Sequence, residues 1–247
     1  YLALHPGVDK VSFTGSTTAG RILAAKCGDL LRPITLELGG KSAGIILDDA
    51  DVPAAVESLR LGSFRNSGQI CTLKTRVLVS HRRKAEVEEA LVVLLDSMPV
   101  GDPNDPATHI GPMVSERQRD RVESYIGIGA QEGRVLRGGL GRPDGLTHGW
   151  FVRPTLVTDI DPDARLAQEE VFGPVVAVIP YEDEEDAVRI ANNSIYGLSG
   201  AIHSRDLGRA VAMAERIKTG VVEIGGAGVG FTAPFGGLKQ SGLGKES

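Results

Sequence analysis

The chain has 247 residues, a formal net charge of −5 at pH 7 and 41% hydrophobic residues. That length allows one large domain or two small ones with ample material for a core, and the acidic balance argues against a non-specific nucleic-acid binder. No apolar run is long enough to span a bilayer, and the cysteines Cys27 and Cys71 make no disulfide framework, so a reduced, cytoplasmic setting is expected.

The opening, Tyr1-Leu2-Ala3-Leu4-His5, reads as the middle of a helix, and a fragment of a longer chain is expected. Val8, Val11 and Phe13 fit a short strand ended by Gly15, and Ser16-Thr17-Thr18 supplies N-cap candidates for a following helix. Backbone N–H groups at such a helix start bind phosphate well, although the spacing from Gly15 to Gly20 is also that of a plain strand-to-helix turn. Residues 33–38 read as a second strand that runs into Gly39-Gly40. Within it, Glu37 is either an outward-facing side chain on a half-exposed strand or a partly desolvated general base.

Residues 43–47 form a third strand, and Asp48 to Asp51 cap a helix with Val52, Ala55, Val56, Leu59 and Phe64 on one face. That helix is expected to deliver Cys71 at its end. Cys71 is the best nucleophile candidate in the chain, because a thiol attacks carbonyls even when weakly ionised and a helix terminus or a cation favours the thiolate. The competing reading is a buried cysteine packed as a small hydrophobe, and the polar or permissive neighbours Ser67, Gly68 and Gln69 argue against it.

A strand over 75–80 and a helix over 83–97 follow, then a Pro/Gly/Asp-rich loop to Pro112, a polar helix over 115–133 and a turn-rich region over 137–148. Strands are expected over 155–158, 175–179, 199–203 and 220–224, with helices over 183–193 and from Asp206. Alternating strands and helices predict an α/β architecture. The five histidines stand apart, and none has a metal-ligand spacing with another His, Cys or carboxylate pair, so no metal site is expected.

Phe13-Thr14-Gly15-Ser16, Leu36-Glu37-Leu38-Gly39-Gly40-Lys41, Gly68-Gln69-Ile70-Cys71, Glu169-Glu170-Val171-Phe172-Gly173-Pro174 and Pro234-Phe235-Gly236-Gly237 with Lys239 and Ser241-Gly242 together resemble the aldehyde dehydrogenase superfamily. The interval from Glu37 to Cys71, 34 positions, is the one usual in that family. The resemblance covers essentially the whole chain and is to the C-terminal half of a family member. It implies a three-layer α/β catalytic domain over 39–230, a remnant of a Rossmann-type cofactor domain over 1–38, and a segment over 231–247 that returns toward the cofactor domain.

It also implies that NAD or NADP is the cofactor and a small-molecule aldehyde the substrate, with no nucleic acid or membrane as partner. The full-length enzyme is expected to be a homo-oligomer. By the same resemblance Cys71 forms a thioester, Glu37 activates the water that hydrolyses it, Gly15 and Ser16 contact the pyrophosphate, Leu38 and Gly39 border the cofactor, Glu170 binds the nicotinamide ribose and Phe172 packs by the nicotinamide. Two rival readings are an enzyme that passes the acyl group to coenzyme A and a folded but non-catalytic fragment. One departure from the pattern is Glu223, in a neighbourhood where the family often has asparagine.

Overall fold

A three-stranded and a seven-stranded sheet, joined by a four-residue link, account for most strands of the described residues. The structure, a computed structural model, describes residues 1–228, 230 and 232–246. Phe231, where the chain was expected to turn back toward the cofactor domain, and Ser247, its last residue, lie outside the described residues.

The first unit contains β1 (Val11–Thr14), α1 (Thr17–Asp29) and β2 (Ile34–Glu37). β1 and β2 are parallel, with Thr14 opposite Glu37. On the other side of β2 lies β12 (Gly242–Leu243), antiparallel, with Gly242 opposite Glu37. Ser16 caps α1 as its position suggests, its Oγ accepting the Ala19 N–H at 3.2 Å. Gly20 lies where a Cβ would stand 2.6 Å from Leu38 Cδ2, so a glycine lets α1 close onto the end of β2.

Residues 38–41 then cross to the second sheet. It is built from β3 (Ser42–Ile46), β4 (Lys74–Ser80), β5 (Arg134–Arg137), β6 (Thr155–Thr158), β7 (Val175–Tyr181), β9 (Ser199–His203) and β10 (Val221–Ile224). Their order is β10-β9-β3-β4-β7-β6-β5, parallel throughout except for β5 on β6. One face carries α2 (Val52–Phe64) and α3 (Lys84–Asp96), whose Val56, Leu59, Leu91 and Leu94 pack on Ile46, Val77 and Val79. The other carries α4 (Glu116–Glu132), α5 (Arg165–Gln168), α6 (Glu184–Asn192) and α7 (Leu207–Ala214), packed on Ile45, Leu78 and Ile179. This is a three-layer α/β fold, and strands covered on both faces read as the near-continuous apolar runs seen in residues 43–47 and 175–179. A short ladder pairs β8 (Tyr196–Gly197) with β11 (Leu238–Lys239), antiparallel.

Two sequence expectations need correction. The helix that was to deliver Cys71 stops at Phe64: Arg65 is extended (ψ 141°), and Asn66 and Ser67 take left-handed φ of 52° and 57°. Cys71 therefore sits in a turn beyond the helix. The turn-rich reading over 137–148 starts one residue early, because Arg137 ends the antiparallel edge strand β5 (Arg134–Arg137), whose other residues had no assignment.

Arg76 on β4 is the largest side chain in the interior, 1% exposed and without a carboxylate partner among the described residues. Its guanidinium instead donates to four carbonyls: Lys41 O at 2.9 Å, Ile190 O at 2.9 Å, Ala191 O at 2.9 Å and Asn193 O at 3.5 Å. Three of these belong to the C-terminal turn of α6 or the residue after it, where the helix dipole favours a cation. Burial lowers its pKa to about 10, so it remains charged. Arg76→Leu is expected to cost about 3 kcal/mol in urea unfolding by orphaning these carbonyls. A loss below ~1 kcal/mol would show that α6 and the link need no such tie.

Candidate active site

The catalytic candidates converge because the two sheets present opposite ends to each other. Glu37 ends β2 and Gly15 follows β1, so both lie at the carboxyl edge of the small sheet. Gly39-Gly40, Cys71 and Glu170-Val171-Phe172-Gly173-Pro174 precede β3, β4 and β7, so they lie at the amino edge of the large sheet.

Gly40 is the meeting point. Its N–H donates to Glu170 Oε1 at 3.0 Å, and a Cβ on it would stand 2.4 Å from the Cys71 carbonyl oxygen. At Gly39 a Cβ would stand 2.4 Å from Glu170 Oε2. The missing side chains of the glycine pair admit the Glu170 carboxylate on one residue and the Cys71 backbone on the other.

Three tethers hold the turn that carries Cys71. Ser67 Oγ accepts the Gly111 N–H at 2.9 Å and donates to Gly111 O at 3.1 Å, while Gln69 Oε1 accepts the Val114 N–H at 2.9 Å. Gly68 has φ of 76° and lies so close to the 170–174 segment that a Cβ would fall 2.1 Å from Gly173 C. That segment is anchored in turn: Gln118 Nε2 donates to Val171 O at 3.1 Å and Phe172 O at 2.8 Å, and Arg121 donates to Glu170 O at 2.6 Å. Phe172 takes a left-handed φ of 62° and is 36% exposed.

Glu37 is buried, 5% exposed, and neither carboxylate oxygen has a hydrogen-bond partner among the described residues. The outward-facing alternative for Glu37 is excluded because Leu36 and Glu37, adjacent residues that point to opposite faces of β2, are both 5% exposed. Desolvation, helped by the negative charge of Glu246, pushes its pKa up to about 7. A carboxyl group that titrates near neutrality is suited to general base work.

The Cys71 thiol is half-buried, and its pKa is raised, first by desolvation, then by the negative charges of Glu170 and Glu37. The backbone N–H groups of Cys71 and Thr72 oppose that rise. The sequence expectation of a thiolate favoured by a helix end or a cation is therefore replaced by a thiol whose protonated form is favoured by burial and by the negative charges of two carboxyl groups. Cys27, by contrast, is fully buried in α1. Alkylation of the folded protein is expected to label Cys71 well before Cys27, and peptide mass mapping with Cys27 labelled first would contradict that order.

The remaining candidates lie alongside. Leu38 is buried, and its N–H donates to Ser241 O at 2.8 Å. Gly15 N–H donates to Glu37 O at 3.0 Å, which places the exposed start of α1 next to Glu37. Ser16 Oγ serves the Ala19 N–H, and the Thr17 and Thr18 N–H groups have no protein acceptor among the described hydrogen bonds. An exposed helix start of this kind, after a parallel strand, fits a dinucleotide phosphate.

Lys41 and Lys74 are functional-site neighbours that the sequence did not single out. Lys41 is fully buried, and burial with the nearby Arg76 lowers its pKa to about 7. Lys74 is buried three residues after Cys71 and pairs with Glu223. A lysine directly after a glycine pair, or ahead of an apolar strand, carries no residue pattern of its own that separates it from a surface lysine.

The family model described as "Aldehyde dehydrogenase family" matches residues 1–247. The chain is 51% identical over 246 residues to a geranial dehydrogenase of Castellaniella defragrans, spanning 100% of this chain and 51% of that protein. It is 46% identical over 246 residues to a 3-succinoylsemialdehyde-pyridine dehydrogenase of a Pseudomonas species, spanning 99% of this chain and 52% of that protein. A crystal structure of an aldehyde dehydrogenase of Mycobacterium tuberculosis in complex with NAD+ superposes with a TM-score of 0.96 at 44% identity, over 99% of this chain and 50% of that one. The chain thus spans about half the length of the relatives it matches.

Proposed function

The chain belongs to the aldehyde dehydrogenase family, and on that premise we propose that it is the catalytic, C-terminal half of an enzyme that oxidises an aldehyde to a carboxylic acid with NAD or NADP. The observation that carries this reading is that the Cys71 backbone and the Glu170 carboxylate meet on the glycine pair just past the strand end at Glu37, whose buried carboxyl group has its pKa pushed up to about 7.

Cys71 Sγ releases its proton to solvent water and bonds the aldehyde carbonyl carbon, and the carbonyl π pair moves onto the oxygen. The backbone N–H of Cys71 then donates to the developing oxyanion, a contact whose loss typically costs about a hundredfold or more in rate. The bound dinucleotide supplies the hydride acceptor. Gly15 and Ser16 at the start of α1 would hold its pyrophosphate, Leu38 and Gly39 would border it, Glu170 would take its ribose and Phe172 would cover its nicotinamide. Once the carbonyl carbon has lost hydride it is held as a thioester on Sγ. Glu37 takes a proton from water, the hydroxide adds to the thioester carbon, and the C–S bond breaks to release the acid and regenerate Cys71. The buried, unpartnered Glu37 oxygens favour this hydrolytic route over transfer to coenzyme A.

The dinucleotide site needs more sheet than the three strands β1, β2 and β12 provide. The 247-residue chain by itself is therefore expected to unfold cooperatively on heating, with no shift in Tm at millimolar NAD or NADP and no aldehyde-dependent NAD reduction. In the complete protein the product should be the free acid without added coenzyme A. A requirement for coenzyme A, with acyl-CoA as product, would replace hydrolysis with acyl transfer, and turnover by the 247-residue chain would remove the need for a second half.

A further inference from the structure

The departure at Glu223 has a partner. Glu223 Oε1 pairs with Lys74 Nζ, and both side chains are largely buried, 17% and 5% exposed. The two residues lie on strands that are not neighbours: β3 and β9 run between β4 and β10. Gly44 of β3, Ala201 of β9 and Glu223 of β10 are successive register partners, so they form one row across the sheet. The row is kept low by its small residues. A Cβ on Gly44 would stand 3.4 Å from Lys74 Cβ and 3.6 Å from Lys74 Cγ, so the lysine stem lies along the missing side chain. The ammonium reaches over Gly44 and Ala201 to the carboxylate under α2. Ser63 of α2 clamps the other end, donating from Oγ to Lys74 O at 2.6 Å.

The pair thus ties the edge strand to the strand that follows Cys71. β10 continues into Gly225 and Gly226, both left-handed with φ of 62° and 80°. This turn folds onto α2, where a Cβ on Gly226 would stand 3.3 Å from Ser58 Cβ. Ser58 and Leu61 follow at helical spacing along one side of α2, Leu61 is 62% exposed, and beyond Phe64 the chain leaves the helix and runs to Cys71. The turn after β10 therefore stands beside the helix face that leads to the thiol.

We propose that Lys74 and Glu223 are positioning residues for the approach to Cys71: their ion pair fixes β10 and its glycine turn against α2, and so sets the width of the path by which a substrate chain reaches the thiol. This rests on the assignment of Cys71 as the acylated residue and deepens it. Neither residue touches the reacting atoms. A wide path follows when the tie is cut, because Gly225 and Gly226 offer no side chain to hold the turn in place.

The test uses the complete protein and the double variant K74M/E223L, which removes both charges and leaves neither buried alone. Cys71 is alkylated with iodoacetamide, a small reagent, and with N-benzylmaleimide, a bulky one. The rate for iodoacetamide is expected to stay near that of the parent, while the ratio of bulky to small reagent rises about tenfold, the scale on which pocket shape discriminates. KM for a branched aldehyde should fall relative to that for a short one at similar kcat. E223Q, which keeps the shape and an acceptor for Lys74, serves if the double variant fails to fold, with a shift in the same direction. An unchanged reagent ratio, whatever happens to Tm, overturns the proposal, as does an equal fall in both rates. A shifted ratio in a protein that turns over no aldehyde would uphold the positioning role and reject the reaction.

Discussion

In the complete protein, Glu37→Gln is expected to keep the burst of reduced cofactor and lose steady-state turnover by roughly 10²–10⁴-fold, the range of a positioned general base. Acylation needs the thiol and the hydride acceptor, whereas deacylation needs water deprotonated next to the thioester, and Glu37 is assigned to the second step only. The sign of the pH dependence follows from its pKa of about 7, raised from the ordinary 4.5 by burial. Below pH 7 the carboxyl group is protonated and cannot take a proton, so turnover limited by deacylation should fall as pH drops through 7, and the variant should lack that limb. Stability runs the other way. A carboxyl group whose pKa is raised by folding contributes fully below its unfolded value and loses that contribution as pH rises through the folded one. The glutamine variant should therefore gain in Tm relative to the parent above pH 7 and not below pH 4.5. Stopped-flow absorbance at several pH values checks the kinetic part; loss of the burst would move Glu37 to the thiol or to folding.

Cys71→Ala is expected to remove turnover by roughly 10⁴-fold or more, since a nucleophile has no substitute once deleted. Dinucleotide affinity should change little, because the proposed contacts at Gly15, Ser16 and Glu170 remain. Without the thiol, the Glu170 and Glu37 charges that raise its pKa also lose a neighbour. Fluorescence titration with NAD alongside the turnover assay separates lost chemistry from lost binding. Cys27→Ala in α1 is the control: it should cost stability through a small cavity and leave the rate per folded molecule intact. Equal losses from both cysteine variants would mean that Cys71 acts through packing.

Strand and helix alternation was legible because the inner strands of the large sheet are buried on both faces, while the half-exposed edge strand β5 gave no such signal. Ser16, Asp51, Ser115, Asp183 and Asp206 cap their helices through side-chain oxygens, a local signal that sequence carries well. What stayed hidden depends on partners far along the chain. Gly68 reads as a permissive residue, and only the structure shows that Gly173 occupies the space its side chain would take. Glu37 had two readings because period-2 alternation does not say whether a strand end is covered. β8, β11 and β12 are two residues each and exist only through pairing with distant strands. Lys74 and Glu223 lie on strands separated by two others, so nothing in either local stretch announces the pair.

The central assignment is a thioester on Cys71 that Glu37 hydrolyses, and trapping it is the most direct measurement. The Glu37→Gln variant of the complete protein is mixed with an aldehyde and NAD, quenched in acid and digested for mass spectrometry. The peptide that holds Cys71 should gain the mass of the aldehyde less two hydrogen atoms, and only when NAD is present. No gain on that peptide, a gain of the unoxidised aldehyde alone, or the acyl group on Cys27 would contradict the assignment.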